Sequence, residues 1–141
     1  MSRYTVFLGG TCNNSDWRER LIPKLNDAEI KWYNPVVRDW TPACQAEETY
    51  IKSQDSTVNL FVITSDMTGV YSIAEVVDSS HKKPSKTVFY FESEGFNNAQ
   101  VKSLCAVGNL VRENGVLVVP PEASLNYVAE ALRKHLELLE V

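Results

Sequence analysis

The stretch from Thr64 to Glu75, Thr-Ser-Asp-Met-Thr-Gly-Val-Tyr-Ser-Ile-Ala-Glu, gathers the side chains with most chemical reach in the chain. It follows an almost wholly apolar run, Val58 to Ile63, and leads into a helix predicted over Ser72 to His81. Hydroxyls, small residues and a glycine ahead of a helix suit an anion or polar sugar held by backbone N–H groups. Asp66, Thr68, Gly69 and Ser72 are therefore candidate ligand contacts, and Glu75, in the first turn of the predicted helix, is the candidate reacting carboxylate. The same spacing, Ser72-x-x-Glu75, also matches a capping box, in which the glutamate only bonds back to the cap residue. Both readings stand at this point.

Other candidates lie near the ends of predicted strands. Gly9-Gly10-Thr11 is neither a Walker A nor a GxGxxG pattern, so no triphosphate or dinucleotide fingerprint is present. The three residues form a tight turn after a strand, or a ligand contact, or both. Trp17 and Trp40 flank loops and offer either base-stacking surface or core, whereas Trp32 reads as core. Asp39 can hydrogen-bond a heterocycle or simply sit in water, and Asn34 closes the second strand ahead of Pro35. Glu47, Glu48 and Asp55 read as the polar face of a helix, and His81-Lys82-Lys83 as the solvated end of another. Cys12, Cys44 and Cys105 are odd in number and widely spaced, which argues against a disulfide framework or a structural zinc site. No metal-ligand or serine-triad constellation is present, and no cofactor is expected.

These residues need elements to position them, and the chain supplies a regular alternation. Tyr4 to Leu8, Ile30 to Tyr33, Val58 to Ile63, Thr87 to Phe91 and Val116 to Val119 read as strands. Trp17 to Leu25, Pro42 to about Ser53, Ser72 to His81 and Asn97 to about Glu113 read as helices, with Thr41 a cap and Pro42 a first-turn proline. The final helix carries Leu125, Val128, Leu132, Leu136 and Leu139 on one face. Strands joined through helices pair in parallel, with helices on both faces of the sheet. The expected fold is a flavodoxin-like three-layer α/β sandwich, a five-stranded parallel sheet in the order 2-1-3-4-5. Such sheets bind ligands beyond the carboxyl ends of strands one and three, where the order reverses.

The 141 residues suit one domain spanning residues 1–141. With 44% hydrophobic and 23% charged residues, the chain falls outside the disordered and fibrous classes. A net charge of −4 with scattered basic residues argues against a nucleic-acid polymer as partner. No leader pattern and no membrane-length apolar run is apparent, so a cytoplasmic protein that avoids membranes is expected.

Together, Val6-Phe7-Leu8-Gly9-Gly10, Tyr33-Asn34-Pro35 and the run Asp66 to Glu75 resemble the nucleoside 2-deoxyribosyltransferase-like family, in its compact bacterial and phage branch. The resemblance implies that Glu75 attacks C1′ of a deoxynucleoside, releasing the base and forming a covalent deoxyribosyl-enzyme that a second base or water then resolves. It implies a small-molecule nucleoside or nucleotide ligand, contacts from Asp39 and Trp40 to the base, and a homo-oligomer. Phe7 stands where the resemblance implies a tyrosine against the glutamate. A second acid is implied on the helix before the third strand, near Glu48 and Asp55. Hydrolysis of a deoxynucleoside 5′-monophosphate and non-catalytic binding of a nucleotide or modified ribose are the alternatives; a flavodoxin-type electron carrier ranks behind both.

Overall fold

Period-two alternation in the apolar runs decides the layers. The computed structural model describes residues 3–12, 15–25, 27–36 and 41–139. Its strands are β1 (Tyr4–Gly10), β2 (Ile30–Tyr33), β3 (Val58–Ile63), β4 (Thr87–Phe91) and β5 (Leu117–Val118). All neighbours pair in parallel, in the order β2-β1-β3-β4-β5. The helices are α1 (Trp17–Leu21), α2 (Pro42–Tyr50), α3 (Tyr71–Lys82), α4 (Asn98–Glu113) and α5 (Leu125–Leu138). Val6, Leu8, Leu60, Val62, Val88 and Tyr90 face one way, against Trp17 and Leu21 of α1 and Val128, Leu132 and Leu136 of α5. Phe7, Phe61, Ile63, Phe89 and Phe91 face the other way, against Val76 of α3 and Leu104 and Val111 of α4. This is the expected flavodoxin-like three-layer α/β arrangement.

A strand buried on both faces must be apolar throughout, and each large side chain removed from water adds roughly 1.5–3 kcal/mol. β3 follows that rule with one exception: Asn59, 1% exposed, lies among Val58, Leu60 and Phe61. At the end of β1, Gly10 has φ +116°, and a Cβ there would collide with the Val62 carbonyl. Only glycine allows β1 and β3 to close at that point.

The elements depart from the expected boundaries where local chemistry dictates. The first helix is α-helical only to Leu21 and tightens into a 3₁₀ turn over Ile22–Leu25, which contains Pro23. Helix α2 starts at the expected Thr41 cap, whose hydroxyl accepts from the Cys44 N–H at 3.3 Å. It then passes into a π-helical turn over Ile51–Asp55 instead of ending at Ser53. The last strand is shorter than Val116 to Val119, although the Val119 N–H still bonds the Phe89 carbonyl at 2.9 Å. Asn97 and Gln100 form a reciprocal capping box at α4. Among the described residues, no helix is long and apolar enough to cross a membrane.

Tyr90 ties β4 to the segment before α5 by donating to the Ala123 carbonyl at 2.6 Å. Burial, aided by the charge of Glu92, pushes its phenol up to about 12. An unfolded tyrosine ionises near 10, so between about pH 10 and 12 the unfolded state alone loses this proton. Native stability should then fall by up to roughly 2–3 kcal/mol relative to neutral pH. Tyr90→Phe should remove that part of the alkaline loss, leaving the cost of one hydrogen bond, about 1 kcal/mol, at neutral pH. Denaturant melts of both proteins on either side of the window check this; parallel stability curves would contradict it.

Candidate functional site

Beyond the carboxyl ends of β1 and β3 lies a cavity of about 520 Å³, within the usual range for a small-molecule site. β1 contributes Phe7, Gly9 and Gly10, and the loop after it contributes Thr11 and Cys12. Gln45, Glu48 and Thr49 of α2, with Lys52 of the π turn, supply another side. Thr68 and Gly69 precede α3, which adds Tyr71, Ser72 and Glu75.

The central contact is an ion pair. Lys52 Nζ donates to Glu75 Oε2 at 2.9 Å, and the two side chains are only 18% and 15% exposed. The ammonium also lies 6.0 Å from the centroid of the Phe7 ring, which stacks on Tyr33 at 5.8 Å with 15° between the planes. The helix before β3 thus meets the glutamate with a cation. Glu48 lines the same cavity, while Asp55, at the end of the π turn, does not.

The capping-box reading of Glu75 fails on position. Helix α3 begins at Tyr71, its N-cap is Val70, and no side chain caps it. Ser72 is the second helical residue and Glu75 the fifth, one residue past the first turn. A helix dipole fades within about one turn, so Lys52 is the stronger electrostatic partner of this carboxylate.

Beneath the cavity the loop after β1 is fixed by buried polar groups. Arg18, 2% exposed, donates from Nε and a terminal nitrogen to the Leu8 carbonyl at 3.1 and 2.8 Å, and to the Thr11 carbonyl at 2.8 Å. Its guanidinium lies 4.4 Å over the Trp17 ring, and the Trp17 indole N–H reaches the Thr11 carbonyl at 2.9 Å. Burial holds the Arg18 pKa below its usual value. The Thr11 hydroxyl accepts from the Thr64 N–H at 2.9 Å, clamping this loop to the one after β3.

Among the sequence candidates, Gly9, Gly10, Thr11, Thr68, Gly69, Ser72 and Glu75 line the cavity. Trp17 does not: it is fully buried, because its ring packs in the core and its N–H is taken by the loop. Asn34 is exposed and accepts from the Val36 N–H at 3.0 Å, so its neighbours Pro35 and Val36 reach the cavity instead. Asp66 is exposed and outside the lining. Asp39 and Trp40 lie outside the described residues. Lys52 is the notable residue that sequence reading missed. A signal was available: Gln45, Glu48, Thr49 and Lys52 follow i, i+3, i+4, i+7 spacing, a polar stripe along one helix face, and all four line the cavity.

The family model described as nucleoside 2-deoxyribosyltransferase like matches residues 3–94, about two thirds of the 141-residue chain. Every residue lining the cavity falls inside that span, whereas α4, β5 and α5 fall outside it. No curated protein matches the chain.

The energetic weight of the ion pair can be measured apart from any chemistry. Lys52→Met and Glu75→Gln should each destabilise the fold by about 1–2 kcal/mol, since each leaves a partly dry charge unpaired. The double variant should lose less than the sum, giving a coupling of about 1 kcal/mol or more in denaturant melts. Additive losses would mean that the two groups do not interact in solution.

Proposed function

The chain belongs to the nucleoside 2-deoxyribosyltransferase-like family, and on that premise we propose that it cleaves the N-glycosidic bond of a deoxynucleoside with Glu75 as nucleophile. The observation that carries this reading is the Glu75 carboxylate, held by Lys52 through one oxygen in a cavity large enough for a nucleoside. With Oε2 engaged, Oε1 attacks C1′ as the C1′–N bond breaks. The bonding electrons leave with the base, which takes up a proton. The resulting sugar ester is then opened at C1′ by a second base, giving exchange, or by water, giving hydrolysis. Either nucleophile loses a proton, and the Glu75 carboxylate is regenerated. The chemistry is that of a retaining glycosidase, and a 2′-deoxy sugar eases it because no electron-withdrawing hydroxyl opposes the oxocarbenium-like centre.

Lys52 has a definite cost in this scheme. It stabilises the free carboxylate more than the neutral ester, so by itself it slows the attack. Its compensating contribution is to hold the carboxylate in one orientation, in which the reacting oxygen is already placed. Thr68, Gly69 and Ser72, at the uncapped start of α3, are the proposed sugar or phosphate contacts.

A deoxynucleoside 5′-monophosphate N-glycosidase is the second reading. Lys52 favours it, as the one cation lining the cavity among the described residues. A phosphate that draws the ammonium from Glu75 would release the nucleophile when the correct substrate arrives. A homo-oligomer belongs to the same proposal, since Val70 and Tyr71 stand 72% and 67% exposed beside the cavity.

The test incubates the protein with each deoxynucleoside and its 5′-monophosphate, with and without a second free base, and separates the products by chromatography. Exchanged nucleoside identifies a transferase; free base with deoxyribose or its phosphate identifies the hydrolytic variant. Glu75→Gln should abolish base release while retaining ligand affinity. No turnover by the wild type at high enzyme concentration would instead point to a binding module. Gly69→Ala is a second probe: a Cβ there meets nothing within 4 Å, so the melting temperature should hold. Affinity for the substrate should nevertheless weaken by roughly tenfold, the effect of about 1.4 kcal/mol, if the ligand approaches this backbone. Unchanged affinity would remove Gly69 from the contact set.

A further inference from the structure

The π turn after α2 leaves one backbone acceptor without its usual partner, and that acceptor belongs to Lys52. The Ser56 N–H bonds the Ile51 carbonyl at 2.8 Å, five residues back, and the Thr57 N–H leaves the helix for the Thr5 carbonyl at 2.7 Å. The Lys52 carbonyl is taken instead by two side chains, Asn59 Nδ2 at 3.1 Å and Lys83 Nζ at 3.2 Å, with Ser56 Oγ beside it at 3.1 Å. π turns interrupt helices at a cost and recur at functional sites.

Asn59 is the centre of this arrangement. Its Oδ1 accepts from the Ser56 hydroxyl at 2.6 Å, and its Nδ2 also reaches Ser79 Oγ at 3.3 Å. Ser79 lies one helical turn beyond Glu75 on α3, on the same face. From Ser79 the chain continues to Thr87 Oγ1 at 2.6 Å, and Thr87 in turn donates to the Lys83 carbonyl at 2.7 Å. Ser56, Asn59, Ser79 and Thr87 are all 5% exposed or less. One buried amide thus grips both the backbone that carries Lys52 and the helix that carries Glu75. Strand β3 is otherwise apolar, and an apolar residue would fill the site without the desolvation cost of an amide.

We propose that Asn59 is a positioning residue for the reacting carboxylate, locking Lys52 onto Glu75 through the Lys52 carbonyl and the Ser79 hydroxyl. The proposal rests on the reading of Glu75 as nucleophile for its catalytic consequence, but not for its structural one. Without the amide, the π turn loses its main lateral support, the ammonium swings off Oε2 and the carboxylate samples several orientations. The fold and the cavity lining stay in place.

The experiment uses the full chain with Asn59→Leu, and with Ser79→Ala, which removes a single link and decides the matter if Asn59→Leu does not fold. The first readout is the ¹⁵N signal of the Lys52 ammonium, assigned by its loss in Lys52→Met. In the wild type it should exchange protons slowly, as a group held by a carboxylate; in folded variants exchange should accelerate by about tenfold or more. The second readout is base release, where kcat should fall roughly 10–100-fold with KM within about twofold, the pattern of a misplaced reacting group. A slow ammonium signal retained in a folded variant overturns the proposal, whatever the melting temperature does. A wild type without turnover would overturn the function proposed above, and the ammonium signal would still decide the role of Asn59.

Discussion

An ammonium and a carboxylate 2.9 Å apart in a partly dry cavity can be held only if the backbones carrying them are fixed independently. Lys52 and Glu75 sit on different helical segments separated by the whole of β3, so neither can find the other by local folding. The parallel sheet provides the constraint. β3 lies beside β1; the π turn that carries Lys52 leads into its amino end, and α3, which follows its carboxyl end, runs back so that Glu75 and Ser79 come alongside. Burial on both faces of β3 fixes its register, because a slip by one residue would exchange the two hydrophobic layers. The ion pair is therefore a readout of sheet register as much as of side-chain chemistry.

The same logic explains why the cavity is built on glycine and buried polar groups. The close approach at Gly10 brings β1 against β3, and the loop that follows would be left with unpaired carbonyls. Arg18, Trp17 and the Thr11 hydroxyl satisfy or bridge these groups from below. An arginine buried among carbonyls, with no carboxylate in direct contact among the described residues, is expensive and rigid. It keeps the floor of the cavity still while the α3 side, with its exposed Val70 and Tyr71, remains open to ligand. The molecule places its buried polar clamp beneath the carboxyl ends of β1 and β3 and its exposed apolar side chains at the rim.

The fold was legible because strands buried on both faces have no choice of composition. Val58 to Ile63 and Thr87 to Phe91 announce themselves, and short connections through helices leave one economical topology. Glu75 was legible as a candidate because small and hydroxylated residues precede it. Its alternative as a helix cap could not be dismissed until the helix start was known, and an N-cap at Val70, two residues before Ser72, decided it. Lys52 and Asn59 were not read from the sequence for opposite reasons. Lys52 looks like any solvated lysine on a helix, and only its stripe with Gln45, Glu48 and Thr49 sets it apart. Asn59 is a polar interruption in a strand that reads as continuous, and its partners lie 20 residues away at Ser79 and seven back at Lys52. Trp17 was open between core and site because an indole serves either, and packing on Leu21 and Arg18 settled it in favour of core.

The claim on which the functional account turns is that Glu75 forms a covalent bond to the sugar. The direct measurement is to mix the protein with a deoxynucleoside or its 5′-monophosphate, quench in acid within a turnover, and map the digested protein by mass spectrometry. The account expects the peptide containing Glu75 to gain the mass of one deoxyribosyl group, or its phosphate, and expects the adduct to vanish in Glu75→Gln. Rapid release of base with no modified peptide at any quench time, or an adduct on another residue, would contradict it.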